Sequence, residues 1–346
     1  MRFCVAFLIL FVAPALHAAS FDCAKASSTL QRSICSDAKL SAADSTMAAL
    51  YRNDLAQLSS NTVGLLRADQ VQWLAWAQQL CHTTEDIARH TVIAECLKPL
   101  YADRIKVLRK AVLHLDDLAF LTRTQYLAAV DSPGPAGKPQ SPDHPGFGTL
   151  TAVWPAADTN DPDWTAWNRT VEQSMLVLAA PDDKAPPTGW SDDLAADRDT
   201  EITAALKSVE HGRATATFTF ESMQHGGAHP YEIWHTVTYV LAQHRGLAPD
   251  DVFAAGADWK SAVAEACWHQ MSTGDKKTYI YAEVTGPDAK PIQDTIGNPT
   301  NWTLEPDGLH ISFPEYSVSP RYAQMDDAVI PWAALAPVLN PAFIHP

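Results

Sequence analysis

The sequence predicts a multidomain protein in which a small, disulfide-stapled all-α helical domain is followed by an α+β domain with a mainly antiparallel sheet. Three observations predict it. Apolar residues recur at helical spacing through residues 47–108, one stripe to each segment. Four cysteines, Cys23, Cys35, Cys81 and Cys96, flank those segments. Beyond residue 148, alternating stretches such as Thr215–Phe220 (TATFTF) are separated by segments of helical period, the pattern of a sheet carrying helices on one face.

Taken in order, residues 1–18 read as a signal peptide. Arg2 supplies the positive n-region, Phe3–Leu16 the apolar h-region, and Leu16-His17-Ala18 the small-residue cleavage site, so the mature chain is expected to start at Ala19. The apolar run falls short of the roughly 18 residues that a transmembrane helix needs. Ser20-Phe21-Asp22 is not a small-residue lipobox before Cys23, so no membrane anchor is expected. The predicted location is periplasmic or secreted.

Export decides how the cysteines are read. Cys4 leaves with the signal, and in an oxidising compartment Cys23, Cys35, Cys81 and Cys96 form a disulfide set while Cys267 is left over. Zinc ligation is the rival reading, but spacings of twelve, forty-six and fifteen residues lack the paired short spacing of a zinc site. Four cysteines allow three connectivities. The expected one is local, Cys23–Cys35 and Cys81–Cys96, each closing a loop worth about 3 kcal/mol in the chain-entropy picture. Loss of Arg2 leaves 24 basic against 40 acidic residues, a net charge of −16. Such a chain repels nucleic acid and anionic lipid headgroups and attracts basic partners. The same charge also keeps an exported protein soluble, so it only supports readings made on other grounds.

The expected domains are a signal peptide over 1–18, a helical domain over 19–115, a connection over 116–148 and an α+β domain over 149–346. The connection ends in DSPGPAGKPQSPDHPGFG (131–148), whose five prolines and four glycines form neither helix nor ladder. In the helical domain, Ser41 with Asp44 reads as a capping box ahead of Met47, Leu50, Tyr51, Leu55 and Leu58. A second helix carries Leu66, Trp73, Ala77 and Leu80, and a third carries Ile93, Leu97, Leu100, Tyr101, Ile105 and Leu108. One apolar stripe on each predicts that the three pack as a small bundle. Asp44, Trp73 and Arg104 read either as surface binding residues or as a capping carboxylate, a core aromatic and a helix-end cation; the structural reading fits their helix positions without a ligand.

The pattern Phe21-Asp22-Cys23, Ile34-Cys35, Leu40, Asp44, Tyr51, Trp73, Cys81, Cys96-Leu97, Tyr101 and Arg104-Ile105 resembles the LprI-type domain, also called DUF1311. That family includes a mycobacterial lysozyme inhibitor.

In the α+β region, Phe147–Trp154 alternates like a strand that Pro155 stops, and Trp164–Leu178 has helical spacing and carries Asn168. A polar insertion, Pro181–Asp197, follows. Thr215–Phe220 is expected to pair with Ile233–Leu241, a strand that Gly246 ends before Asp250-Asp251 begin a new element. Trp259–Met271 reads as a helix whose apolar face holds Cys267, a buried thiol and not a nucleophile. Thr278–Val284 and Asn301–Leu304 read as strands, Asp307-Gly308 as a hairpin turn, Ile311–Phe313 as an aromatic strand, and Ile330-Pro331 as the start of a short helix. Met223–Phe253 and Asn301–Leu339 together resemble the DUF3298 type of bacterial extracytoplasmic domain, with RsiV-like regions of lysozyme-sensing anti-sigma factors among its members. Gln324 stands where that family usually has Gly.

No Gly-x-Ser-x-Gly elbow, His-Glu-x-x-His, phosphate loop or dinucleotide fingerprint occurs, so the protein is expected not to be an enzyme and to use no cofactor. His225 and His229 with Asp250 or Asp251 lack a third ligand at a diagnostic spacing, and no metal site is expected. Both resemblances include lysozyme binders. They imply an exported, non-enzymatic binding protein of the envelope whose partner is a lysozyme-like muramidase or another basic envelope protein. The alternative is a peptidoglycan-binding or cell-wall-processing accessory protein, for which the 11 tryptophans offer sugar-stacking surfaces. The candidate partner-binding residues are His225, Gly226, Gly227, Ala228 and His229, a thin loop able to present hydrogen-bond donors to the paired carboxylates of a muramidase cleft. The competing reading is a tight turn that orders the strand after it.

Overall fold

The computed structural model describes residues 19–81, 90–115, 117–130, 146–180, 185 and 187–346. The expected signal peptide, most of the Pro/Gly-rich linker and the turn between Cys81 and Cys96 lie outside the described residues. No helix among the described residues is long and apolar enough to cross a membrane. The described residues form two compact units, one within 19–57 and 77–110 and the other within 58–76 and 111–346.

The first unit packs α1 (Thr29–Ser36), α2 (Ala38–Gln57) and α4 (His90–Leu108) together. Disulfides join Cys23 to Cys35 and Cys81 to Cys96, the expected local pairing. A full capping box starts α1, where Ser28 accepts from the Gln31 amide and Gln31 reaches back. The start of α2 differs from expectation. Asp37, not Ser41, takes the free amides there, those of Lys39 and Leu40, each at 2.9 Å. The helix therefore begins four residues earlier than the Ser41/Asp44 reading placed it. Ser41 lies inside the helix, donating to Ile34 O at 2.7 Å. Asp44 is buried and accepts from the Ser20 amide at 2.7 Å and from the Tyr101 hydroxyl at 3.5 Å. Arg104 is buried beside Asp54, and burial pushes the Asp54 carboxyl up to about 6, against the Asn53 hydrogen bond and the Arg104 charge.

Most of α3 (Ser60–Leu80), up to Trp76, is grouped with the second unit and not with the other two helices of the expected bundle. The reason is an uncovered strand edge. β1 (Val112–Leu115) pairs with only the first residues of β2 (Leu118–Val130), so β1 does not cover the rest of that edge. Side chains of α3 meet its backbone groups. Asp69 accepts from Thr124 N at 3.0 Å while pairing with Arg123, Gln72 accepts from Tyr126 N at 3.3 Å, and Trp76 donates to Leu127 O at 3.1 Å. Residues 118–130, expected in the connection, are thus a strand of the main sheet.

That sheet has the order β1-β2-β3-β4-β5-β6-β7, with β3 (Phe147–Ala157), β4 (Arg198–Glu210), β5 (Arg213–Gln224), β6 (Tyr231–Val240) and β7 (Arg245–Gly246). All pairs are antiparallel except β3–β4, whose parallel connection is made by α5 (Pro162–Ala179), as a parallel pair requires. Asn168 clamps α5 to the end of β3, accepting from Ala157 N at 2.7 Å and donating to Ala157 O at 3.0 Å. Trp154, Trp167, Ile202 and Phe218 fill the core beneath the helix. Pro155 does not stop β3. Its partner Thr122 gives its N–H to Ala111 O on the far side, so the Thr122–Pro155 pair needs no hydrogen bond from proline, and pairing to β4 has already ended at Val153. Gly148 lets β3 pass the Ala195 carbonyl, which a Cβ would strike. Thr215–Phe220 pairs with β6 as expected, but β6 ends at Val240, and Gly246 instead lies in the short edge strand β7.

A second core in the same unit packs α6 (Pro249–Val252), α7 (Trp259–Thr273), α8 (Lys290–Ile296) and α9 (Trp332–Leu335) with a sheet of order β10-β9-β8. Its strands are β8 (Trp302–Glu305), β9 (Gly308–Ile311) and β10 (Ala328–Ile330). Phe313 is buried but lies past the end of β9. Cys267 is fully buried in this core, and burial pushes its thiol up to about 12, so it is packing and not a nucleophile. Thr278–Val284 is not a strand. Ile280 and Tyr281, adjacent in sequence, both pack on the core, and the Tyr281 amide goes to Val318 O at 3.0 Å outside any ladder.

Candidate functional site

The hairpin of β5 and β6 carries the loop His225-Gly226-Gly227-Ala228-His229. Gly226 has φ +81°, a conformation that disfavours side chains, and the Gly227 amide closes the turn on Gln224 O at 2.9 Å. The loop's residues divide. His225 is buried, its amide donating to Asp197 O at 3.1 Å and its Nε2 standing 3.7 Å from Asp199 Oδ2. Asp199 accepts from the amide of Thr149 at 3.1 Å and its hydroxyl at 2.6 Å, and the His225 amide bond to Asp197 roots the loop beside the start of β4. Gly226, Gly227, Ala228 and His229 are exposed. The two histidines are not brought together as ligands, and Asp251 is engaged by Arg245 at 2.6 Å, whose hydrogen bond holds its carboxyl below the usual range. Among the described residues no group of three or more His, Cys, Asp or Glu is placed to hold a metal ion.

What joins this loop to the segment Asn301–Leu339 is Arg321, which the sequence did not single out. Its guanidinium donates to Pro230 O at 2.9 Å, meets Glu232 at 2.5 Å and Glu315 at 2.9 Å, and lies 3.3 Å from His229 Nδ1. Next to it opens a groove of about 450 Å³, with Trp234, Phe313, Glu315 and Gln324 on its walls. Trp234 is half exposed. The Glu315 side chain is 4% exposed. Among the described residues neither Glu315 Oε2 nor Gln324 Oε1 has a hydrogen-bond donor. Leaving a buried acceptor unmet costs about 1–3 kcal/mol, so such atoms mark a place to look for a ligand. Gln324 itself has φ −45°, a conformation open to any side chain, which is why the turn does not need the glycine usual there.

A second cleft of about 540 Å³ lies between α5 and strands β5 and β6, lined by Val177, Leu178, Phe218, Val237 and His235. Burial lowers the His235 pKa, so the ring is neutral at neutral pH. In the helical unit, Asp44 and Arg104 are buried, as is Trp73 of α3, so none of the three presents a side chain to a partner at the surface.

Residues 22–108 match the family model described as Lysozyme inhibitor LprI. Residues 250–333 match the model described as a protein of unknown function, DUF3298. The chain carries an LprI-type domain followed by a DUF3298-type domain. The LprI-type match contains all four disulfide cysteines together with the part of α3 that packs on β2. The DUF3298-type match covers most of the second core, with Glu315 and Arg321, but begins after the loop at 225–229. Among solved structures, the chain is similar to a DUF3298 family protein from Pseudomonas aeruginosa PAO1, at 16% identity and a TM-score of 0.46, covering 67% of this chain and 98% of that one. It is likewise similar to a DUF3298 family member from Bacteroides fragilis NCTC 9343, at 14% identity and a TM-score of 0.47, covering 65% and 94%. No curated protein matches the chain.

Proposed function

We propose that the mature protein works in the bacterial envelope as a non-enzymatic binder and inhibitor of a lysozyme-like muramidase. The observation that carries this reading is the match of residues 22–108 to the Lysozyme inhibitor LprI model, with both disulfides inside it. Two disulfides suit an oxidising, extracytoplasmic compartment, and the excess of acidic residues suits a basic target.

The test uses the mature chain, 19–346, with its disulfides intact, against a panel of muramidases of different structural types. Binding together with slower lysis of cell-wall substrate supports the reading. Release of muropeptides by the protein alone would turn it towards a cell-wall-processing role, and absence of binding across the panel would remove it.

A further inference from the structure

We propose that the groove beside Glu315 receives a guanidinium or ammonium side chain from a basic protein partner. The first ground is charge. Arg321 is one cation shared between two carboxylates, Glu232 and Glu315, so the cluster keeps a net negative charge. Asp327 adds a further carboxylate to the wall, and the Lys207 ammonium there is already engaged by Glu305.

The second ground is the unmet acceptors. Glu315 Oε2 and Gln324 Oε1 are buried without a donor among the described residues, and both side chains line the groove. Glu315 Oε1 is already held by Arg321, which leaves Oε2 as the oxygen for an incoming donor. Guanidinium and ammonium groups supply five and three donors and bring no acceptor that would itself need satisfying. A neutral sugar hydroxyl brings lone pairs as well as a proton, and leaves the excess negative charge unanswered. An anion is repelled.

The third ground is the aromatic lining. Trp234, half exposed, and Phe313, buried, also line the groove, which suits the aliphatic stem of Lys or Arg and offers the cation a ring face. An arginine or lysine held in such a pocket is the kind of anchor that dominates an interface. This inference rests on the muramidase reading for the partner's identity, whereas the ligand chemistry of the groove stands on its own.

The experiment titrates the full mature chain with agmatine, a guanidinium on a short alkyl amine, with chitotriose in parallel. Agmatine is expected to bind saturably, Glu315→Gln and Trp234→Ala each to weaken it at least tenfold, and chitotriose not to bind. Trp234→Ala leaves every ion pair in place, so it decides the matter if Glu315→Gln fails to fold. No agmatine binding, or equal binding by the folded variants, overturns the proposal. Chitotriose binding that displaces agmatine replaces it with a glycan site. A basic c-type lysozyme forms the last arm. Equal lysozyme binding by parent and variants overturns the groove as the partner's contact and leaves the muramidase reading intact. Glu315-dependent agmatine binding without lysozyme binding removes the muramidase reading and supports the groove.

Discussion

Replacing Arg321 by alanine should loosen the 225–230 loop from the segment around Glu315 and lower stability by about 3–5 kcal/mol. The magnitude follows from the three interactions that the guanidinium makes with Glu315, Glu232 and Pro230. Removing one partner of a buried ion pair costs about 3–5 kcal/mol, chiefly because the other charge stays buried and unpaired. Glu315 fits that case at 4% side-chain exposure, but Arg321 is 27% exposed, which places the cost at the low end. The Glu232 pair, with both side chains about a quarter exposed, adds at most about 1 kcal/mol, and the bond to the Pro230 carbonyl about as much. Arg321→Lys keeps the charge but not the fork that reaches three acceptors, and should recover roughly half. Hydrogen exchange is the suitable assay, because a chain of two units need not unfold in a single step. The Gly227 amide, which closes the turn on Gln224 O, should lose protection in Arg321→Ala. A double-mutant cycle with Glu315→Gln should return a coupling of about 1–3 kcal/mol. Unchanged protection together with a coupling near zero would refute the role given to Arg321.

Three further outcomes are expected. Asp69→Ala exposes the Thr124 amide and strands Arg123, so it should cost about 3–5 kcal/mol, read by denaturant unfolding; a loss under about 1 kcal/mol would mean α3 does not protect that edge. The two loop histidines should separate: His225→Ala, removing a buried ring, should lower the melting temperature by several degrees, while His229→Ala should leave it unchanged, and equal shifts would contradict the geometry. Asp54, with its folded pKa raised from 3.8 to about 6, binds its proton more tightly folded than unfolded, so its charged form disfavours folding above pH 6 and the penalty fades as pH falls towards 4. Relative to Asp54→Asn, the parent should therefore gain up to about 3 kcal/mol between pH 7 and pH 4, and parallel stability profiles would count against the burial argument.

Local chemistry was legible in the sequence. Each disulfide closes a short loop, and of the three connectivities that four cysteines allow the expected local one, Cys23 with Cys35 and Cys81 with Cys96, is the one found. Strict alternation placed the pairing of β5 with β6, and an apolar face placed α7 and the buried Cys267. What escaped depends on neighbours distant along the chain. The Ser41/Asp44 motif matches a cap in pattern, yet Asp37 reaches the free amides first. Nothing in α3 alone shows that Asp69 and Gln72 answer β2 amides some 54 residues later. The strand expected at Thr278–Val284 does not form, and the adjacent Ile280 and Tyr281 both pack on the core. The candidate loop was half legible: the glycines announced the turn, but only the fold shows that His225 points inward and that Arg321, 89 residues beyond Glu232, ties the loop down. Glu315 and Gln324 became candidates through missing partners, which no sequence pattern displays.

The central claim, that this protein binds a basic muramidase, is tested most directly by association kinetics of the disulfide-intact mature chain with a basic c-type lysozyme across ionic strength. With a net charge of −16, saturable binding is expected, with an on-rate that falls steeply between low and physiological salt, where charges are screened beyond about 8 Å. Absence of binding at low salt by a correctly folded chain would contradict it.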